Sequence, residues 1–260
     1  LDHENDEKKY HCVCENVDQL CPACRTFGWT YKPPEGENVD AEKTIAYAGR
    51  VRFSYARLTS DAGGLLHEVT LSILSTPKPT TTRFYLRPSK GKPRDGLTDQ
   101  LAGYDGINRL RGRKFYRHHH EVRKQEYQRH PDAGSHGKDD KNRTIHNVHL
   151  PGNHFEFTLS FENLNPVELG ALLWSLELEE SGQQGYHRLG MAKPLGFGSV
   201  RVRVADLTLL DMDARYASAE DDGWRPASDQ QKEGFKNDFR KAMEDTYAVK
   251  HFSGLINIYD

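Results

Sequence analysis

The sequence predicts an α+β fold with a metal knuckle near its N-terminus and a long basic insertion in its middle. Three observations along the 260-residue chain carry that expectation. First, His154-Phe155-Glu156-Phe157-Thr158-Leu159-Ser160-Phe161 alternates, with Phe155, Phe157, Leu159 and Phe161 on one face, as in a strand covered on one side. Second, Asn165-Pro166-Val167-Glu168 opens a helix. Asparagine caps it, proline suits the first helical position, and glutamate three residues after the cap closes a capping box. Third, a glycine-rich loop and a strand over Val200–Val204 follow that helix. Strand, helix, loop and strand make one half of a ferredoxin-like, RNA-recognition-like domain.

At the N-terminus all four cysteines lie between Cys12 and Cys24. Disulfide staples would be scattered to close long loops, so this crowding predicts a local metal site in a reducing compartment. Sulfur and nitrogen donors at Cys-x-x-Cys spacing suit zinc. Cys14, Cys21 and Cys24 are the expected ligands, and the fourth is Cys12 or His11. Four protein ligands leave no position for water, which makes such a zinc structural. A redox Cys-x-x-Cys is the alternative, but it leaves two cysteines unexplained. Knuckle and loop are expected over 1–48, the α+β domain over 49–210 and a helical extension over 211–260.

Gly49–Ala56 reads as the next strand, with Val51, Phe53 and Tyr55 alternating against Arg50, Arg52 and Ser54. His67–Leu74 reads as another. The basic insertion, 83–147, comes next. Between 83 and 130, arginines and lysines such as Arg111, Arg113, Lys114 and Arg117 far outnumber Asp95, Asp99, Asp105, Glu121 and Glu126. Phe84, Tyr85, Tyr104, Phe115, Tyr116 and Tyr127 are interleaved with them. Cations neutralise phosphates and rings stack on splayed bases, so the pattern suits single-stranded RNA. A solvated basic face is the bland alternative. His118-His119-His120 is read as an exposed polar stretch, because consecutive strand residues alternate faces and do not converge on one ion.

In the helix after Asn165, Leu169, Leu172, Leu173 and Leu176 make an apolar stripe ending near Glu179, with Gly182 and Gly185 beyond it. The stretch from Gly190 to Ser199 then holds Lys193, Gly196, Phe197 and Gly198. Its glycines let one backbone come close to another. Exposed N–H groups with Lys193 suit a phosphate chain. The helix-before, strand-after order is the reverse of mononucleotide loops, which leaves a polymer backbone or a tight turn. A last helix is expected from Ser228, with Phe235, Phe239, Met243 and Tyr247 packing on the main domain.

Net charge is −2 and charged residues are 28% of the chain, which predicts a soluble protein whose charge distribution matters more than its sum. No apolar run approaches a membrane span and no signal-peptide pattern is present. A start on Leu1 and a polar run suggests a piece of a longer polypeptide.

Cys21-Pro22-Ala23-Cys24-Arg25-Thr26-Phe27-Gly28, Gly49-Arg50-Val51-Arg52-Phe53-Ser54-Tyr55-Ala56, Arg111-Gly112-Arg113-Lys114-Phe115-Tyr116, Asn165-Pro166-Val167-Glu168-Leu169-Gly170 and the glycine loop occur in that order. Together, over roughly residues 10 to 206, they resemble the RAMP superfamily of CRISPR-associated proteins. More narrowly, they resemble the backbone subunits of type III effectors, and the cysteine cluster is similar to that of the single-chain type III-E effectors (the giant RAMP). The resemblance implies a RAMP domain over 49–210, lacking its opening strand, in a cytoplasmic antiviral ribonucleoprotein. It implies a segment that holds guide RNA (crRNA) and target RNA, with Arg50, Arg52, Arg111, Arg113, Lys114, Tyr116, Arg117, Lys193, Gly196, Phe197 and Gly198 as contacts. Partners would be the rest of the effector polypeptide, or neighbouring backbone subunits, and an accessory protein. Family cleavage uses an acidic residue with Mg2+ in a loop of the first half of the unit. This chain starts after that loop, so any Mg2+ would act elsewhere in the effector and no catalytic residue is assigned. A metal-independent guide-processing endoribonuclease of the same superfamily, with His119 or His149 as base, is the alternative. A zinc-stapled protein-interaction module is a third reading.

Overall fold

The computed structural model describes residues 14, 16–31, 45–74, 76, 78, 82–87, 109–111, 115–119, 121–130, 143–180 and 183–247. Along the chain the elements are α1 (Pro22–Phe27), β1 (Trp29–Tyr31), β2 (Ile45–Tyr47), β3 (Val51–Phe53), β4 (Arg57–Ser60) and β5 (Leu65–Thr70). Short strands β6 (Leu86–Arg87) and β7 (Arg109–Leu110) precede β8 (Thr144–His149), β9 (His154–Glu156) and β10 (Leu159–Phe161). Then come α2 (Pro166–Glu177), β11 (Glu179–Glu180), β12 (Gln183–Gln184), β13 (His187–Arg188), β14 (Ser199–Val200) and β15 (Thr208–Leu210). The last elements are α3 (Met212–Ala217), β16 (Trp224–Pro226) and α4 (Asp229–Tyr247). The result is a mixed α/β architecture of small two-stranded antiparallel sheets, β3 with β10, β4 with β9 and β5 with β8 among them.

The chain divides into two compact units. One comprises Leu1–Gly64, His149–Gly185 and Val202–Ile256; the other comprises Leu65–Val148, Tyr186–Arg201 and Asn257–Asp260. The first unit is built on α2. The expected capping box is present: the Glu168 N–H donates to Asn165 Oδ1 at 2.8 Å, and the Asn165 N–H donates to Glu168 Oε2 at 3.0 Å. Leu169, Leu172 and Leu173 are buried as their spacing predicts. Leu169 and Leu173, with Leu207, gather Phe161, Val204, Leu209 and Phe235 into a core. The helix stops at Leu178, which takes the left-handed conformation at φ 48°, rather than at a glycine.

α4 packs along α2, as its aromatic stripe predicts. Trp174 and Phe239 are 5.7 Å apart, and a Cβ on Gly170 would stand 1.9 Å from the Phe235 carbonyl oxygen. Only a glycine lets the two helices approach that closely.

Two expected strands are interrupted. His154–Phe161 breaks at Phe157-Thr158 into β9 and β10, where the Thr158 N–H turns to Ser54 Oγ at 2.8 Å. The strand expected over Val200–Val204 ends at Val200; the Val204 N–H instead donates to Glu177 Oε1 at 3.1 Å. The alternating face of β3 is covered at one end only. Phe161, paired with Val51, packs on the α2 core, while Phe53 stacks on Phe157 and stays exposed, as does Tyr55.

The second unit has a smaller core of Val69, Leu71 and Ala192, joined by Tyr127, Ile145, Val148, Leu195 and Phe197. The glycine loop is therefore part of the packing of this unit. Among the described residues no helix is long and apolar enough to cross a membrane.

Candidate metal cluster and nucleic-acid interface

Cys21 is the N-cap of α1, and Cys24 lies in its first turn, with proline at the first helical position fixing the start. Cys14 comes from the segment before them. Its sulfur accepts the Cys21 N–H at 3.3 Å, and its carbonyl accepts Trp29 Nε1–H at 2.7 Å. The three sulfurs lie within 4.8 Å of one another. A tetrahedral ion about 2.3 Å from each needs sulfurs about 3.8 Å apart, a spacing within that bound. The cluster could hold a metal ion and is compatible with zinc. His11 and Cys12 lie outside the described residues.

The thiols also show why a cation suits them. The Cys24 backbone N–H holds Cys21 below the ordinary thiol range. Burial, then the neighbouring Cys21 and Cys14 sulfurs, push Cys24 up to about 12. Burial and the neighbouring sulfurs thus oppose a thiolate at Cys24; a dication binds thiolates and reverses the preference.

α1 links this cluster to α2. Arg25 in its last turn pairs with Glu168, whose side chain is only 5% exposed, and Arg50 approaches the other Glu168 oxygen at 3.8 Å. Arg50 also donates to the Asn163 carbonyl at 2.8 Å and bonds the Tyr47 hydroxyl. Thus Arg50, expected at an RNA surface, serves protein partners. Arg52 is 78% exposed, with Glu162 at 4.0 Å.

In the second unit, β13 pairs with β14 through His187 opposite Val200 and Arg188 opposite Ser199. The glycine loop joins them, with a 3-10 turn at Lys193–Leu195 between Ala192 (φ 55°) and Gly196 (φ 91°), both left-handed. A Cβ on Gly196 would stand 2.4 Å from Val122 Cγ2, and one on Gly198 1.9 Å from the Leu189 carbonyl oxygen. Gly198 thus admits the chain's own backbone, and Gly196 admits the Val122 side chain.

The glycine loop and the basic segment meet here. Arg188 donates from Nη1 to the Phe197 carbonyl at 2.8 Å and from Nε to the Tyr116 carbonyl at 3.2 Å. His118 Nδ1 lies 2.8 Å from Ser199 Oγ, and Phe197 meets Tyr127 edge to face at 5.1 Å. Tyr116, Arg117, Lys193, Gly196, Phe197 and Gly198 therefore share one unit. Arg111 belongs to it too, its N–H bonded to the Tyr85 carbonyl at 2.9 Å. Arg113 and Lys114 lie outside the described residues, and Arg50 and Arg52 belong to the other unit.

His118 is 8% exposed, so it is a packed residue and not part of an exposed polar stretch. Burial, then the Arg188 charge, hold its pKa below the usual histidine value. His119 and His149 do not join it: His119 is exposed, and His149 lies against Phe155 and Asn153.

Arg188 was not among the residues the motifs singled out. The signal that could have found it is an absence of acid. Neither 106–120 nor 181–205 contains an aspartate or glutamate, and Arg188 ties these two segments together.

No family model and no curated protein matches the chain.

Proposed function

We propose that this chain is a guide-RNA-holding segment of a type III CRISPR effector of the RAMP superfamily, binding crRNA and target RNA without cutting them. One observation carries the reading: two acid-free basic segments, 106–120 and 181–205, are tied together by Arg188. Segments free of acids and rich in arginine suit a polyanion, and the aromatics among them suit exposed bases. On the same reading β10 and α2 belong to half of a ferredoxin-like unit. The cysteine cluster holds a structural Zn2+, the Mg2+ of target cleavage acts elsewhere, and the remaining polypeptide or neighbouring subunits complete the cytoplasmic ribonucleoprotein.

Guide processing is the weaker reading. The histidine with a defined side-chain partner beside the loop, His118, is too buried to reach a 2′-hydroxyl.

The test is RNA binding by filter retention or anisotropy across salt concentrations. Charge reversal of Arg111, Arg113 and Lys114 is expected to weaken binding to unrelated sequences alike and to flatten the salt slope by about one per lost phosphate contact. Unchanged affinity and slope would return the stretch to a solvated face. Cleavage of unprocessed repeat RNA in EDTA would favour the processing enzyme instead.

A further inference from the structure

We propose that the outer face of the β15–β16 ribbon, with the helix α3 that joins its strands, is a protein-docking surface. Its partner is a polypeptide segment that sets aliphatic or aromatic side chains among lysines and arginines. The proposal stands apart from the RNA-holding reading, because it concerns the first unit and a ligand of the opposite charge. Strand alternation fixes which side chains face out. Leu207 and Leu209 pack into the α2 core, with Ala227 beside them. Leu210 and its partner across the ribbon, Trp224, therefore stand on the other face, 38% and 51% exposed. In α3, Met212 and Tyr216 lie one turn apart on one side of the helix, 49% and 79% exposed. One such side chain is ordinary; a local group of them marks an interaction surface. Tryptophan, tyrosine and methionine are also the types that protein interfaces favour.

The surface is held in place by its own backbone. The Asp211 N–H donates to the Gly223 carbonyl at 2.7 Å, and the Trp224 N–H donates to Asp222 Oδ1 at 3.0 Å. Gly223 has a φ of 76°, and a Cβ on it would stand 2.6 Å from Arg215 Cβ, so α3 lies directly against the ribbon. A pre-formed surface loses little freedom on binding.

Charge identifies the partner. Between Asp206 and Trp224 six acidic residues stand against one base, Arg215. Arg215 donates to the Asp222 carbonyl at 3.1 Å, and Arg225, just beyond, is held by Asp221 at 3.0 Å. Exposed Asp213, Glu220 and Asp222 keep the surface anionic. Such a surface repels phosphate chains and anionic lipid and draws cations. Apolar anchors among acids match a segment of the reverse pattern, in which charge selects the partner and the apolar side chains supply the affinity.

The experiment titrates the full chain with three tryptophan-free peptides: lysine–leucine at helical spacing, polylysine, and glutamate–leucine. Trp224 reports, since Trp29 is buried and Trp174 packs on Phe239. The lysine–leucine peptide is expected to bind and shift the emission to the blue. Polylysine should bind more weakly without the shift, and glutamate–leucine should not bind. Met212→Ser/Tyr216→Ser should lose roughly tenfold for the lysine–leucine peptide, the scale of a hot-spot side chain, and nothing for polylysine. Asp213→Lys/Glu220→Lys should weaken both cationic peptides and reduce the salt dependence.

Should Met212→Ser lower the melting temperature, Tyr216→Ser alone carries the comparison. Wild-type affinity in that variant, or polylysine binding as tightly as the mixed peptide, overturns the proposal. Self-association abolished by Tyr216→Ser would give the face to a second copy, and loss of RNA binding in that variant would give it to RNA; either result removes the proposal. Wild-type RNA affinity in Tyr216→Ser, with weaker peptide binding, supports it.

Discussion

Gly198 lies against Leu189 so closely that a Cβ on it would stand 1.9 Å from the Leu189 carbonyl oxygen. Its φ of 80° adds a second demand for glycine. Gly198→Ala is therefore expected to destabilise the second unit by about 1–3 kcal/mol with or without RNA. A thermal melt checks this, and an unchanged melting temperature would refute it. Lys193→Ala, by contrast, should melt normally and bind RNA less well. The pair separates the loop's architecture from its contacts.

Arg188 should tolerate no replacement. Lysine offers a single ammonium in place of a fork and cannot serve the Tyr116 and Phe197 carbonyls in the same geometry. Arg188→Lys is expected to cost about 1–3 kcal/mol through a carbonyl left without its donor. RNA affinity should fall with it, because Lys193 and Phe197 lose their register against Tyr116. Wild-type stability and affinity in this variant would show that the bridge is dispensable.

Removal of the metal should be visible at Trp29, whose indole N–H bonds the Cys14 carbonyl at 2.7 Å. Freshly purified protein is expected to carry one zinc by elemental analysis. Cys21→Ser or a strong chelator should release it, shift the tryptophan fluorescence and lower stability, since metal binding to thiolates contributes folding energy directly. Protein that holds no metal and melts identically with and without chelator would sink the assignment.

His118 sets a pH dependence whose sign follows from its environment. Burial, then Arg188, lower its pKa in the folded protein, with His187 and His119 adding smaller contributions in the same direction. The unfolded chain takes up the proton near the ordinary value of about 6.5. Stability contributed by the neutral ring is thus fully present above about pH 6.5 and is lost as pH falls toward the folded value. Urea midpoints from about pH 7.5 to 5 should drop less in His118→Gln than in the wild type. Parallel profiles would exclude His118 as a source of acid sensitivity.

The start of α2 was legible because its cap is local. Asn165, Pro166 and Glu168 fix one another across four residues, and the leucine stripe needs nothing further to choose its face. The cysteine cluster was legible for the same reason: Cys14, Cys21 and Cys24 are close in the chain and close in space. Arg50 and Arg188 were not. Alternation along Gly49–Ala56 turns Arg50 to the polar face but cannot disclose that Glu168, Asn163 and Tyr47 are waiting there. Arg188 bonds backbone carbonyls 9 and 72 residues away, and a carbonyl has no sequence signature. The early end of the strand at Val200 has a similar origin, since a side chain of α2 takes the Val204 N–H that a neighbouring strand would have used.

Apart from the terminal Asn257–Asp260, the second unit is built from two separate excursions of the chain, Leu65–Val148 and Tyr186–Arg201. For protein engineering this makes the basic insertion a poor module. Replacing 83–147 with a short linker would leave the shorter excursion behind, with Gly196 facing an empty place where Val122 had been and Arg188 lacking Tyr116. A minimal version of the chain must shed both excursions together or neither. Grafting the glycine hairpin onto another scaffold would likewise require carrying Tyr116, His118 and Val122 with it as its seat.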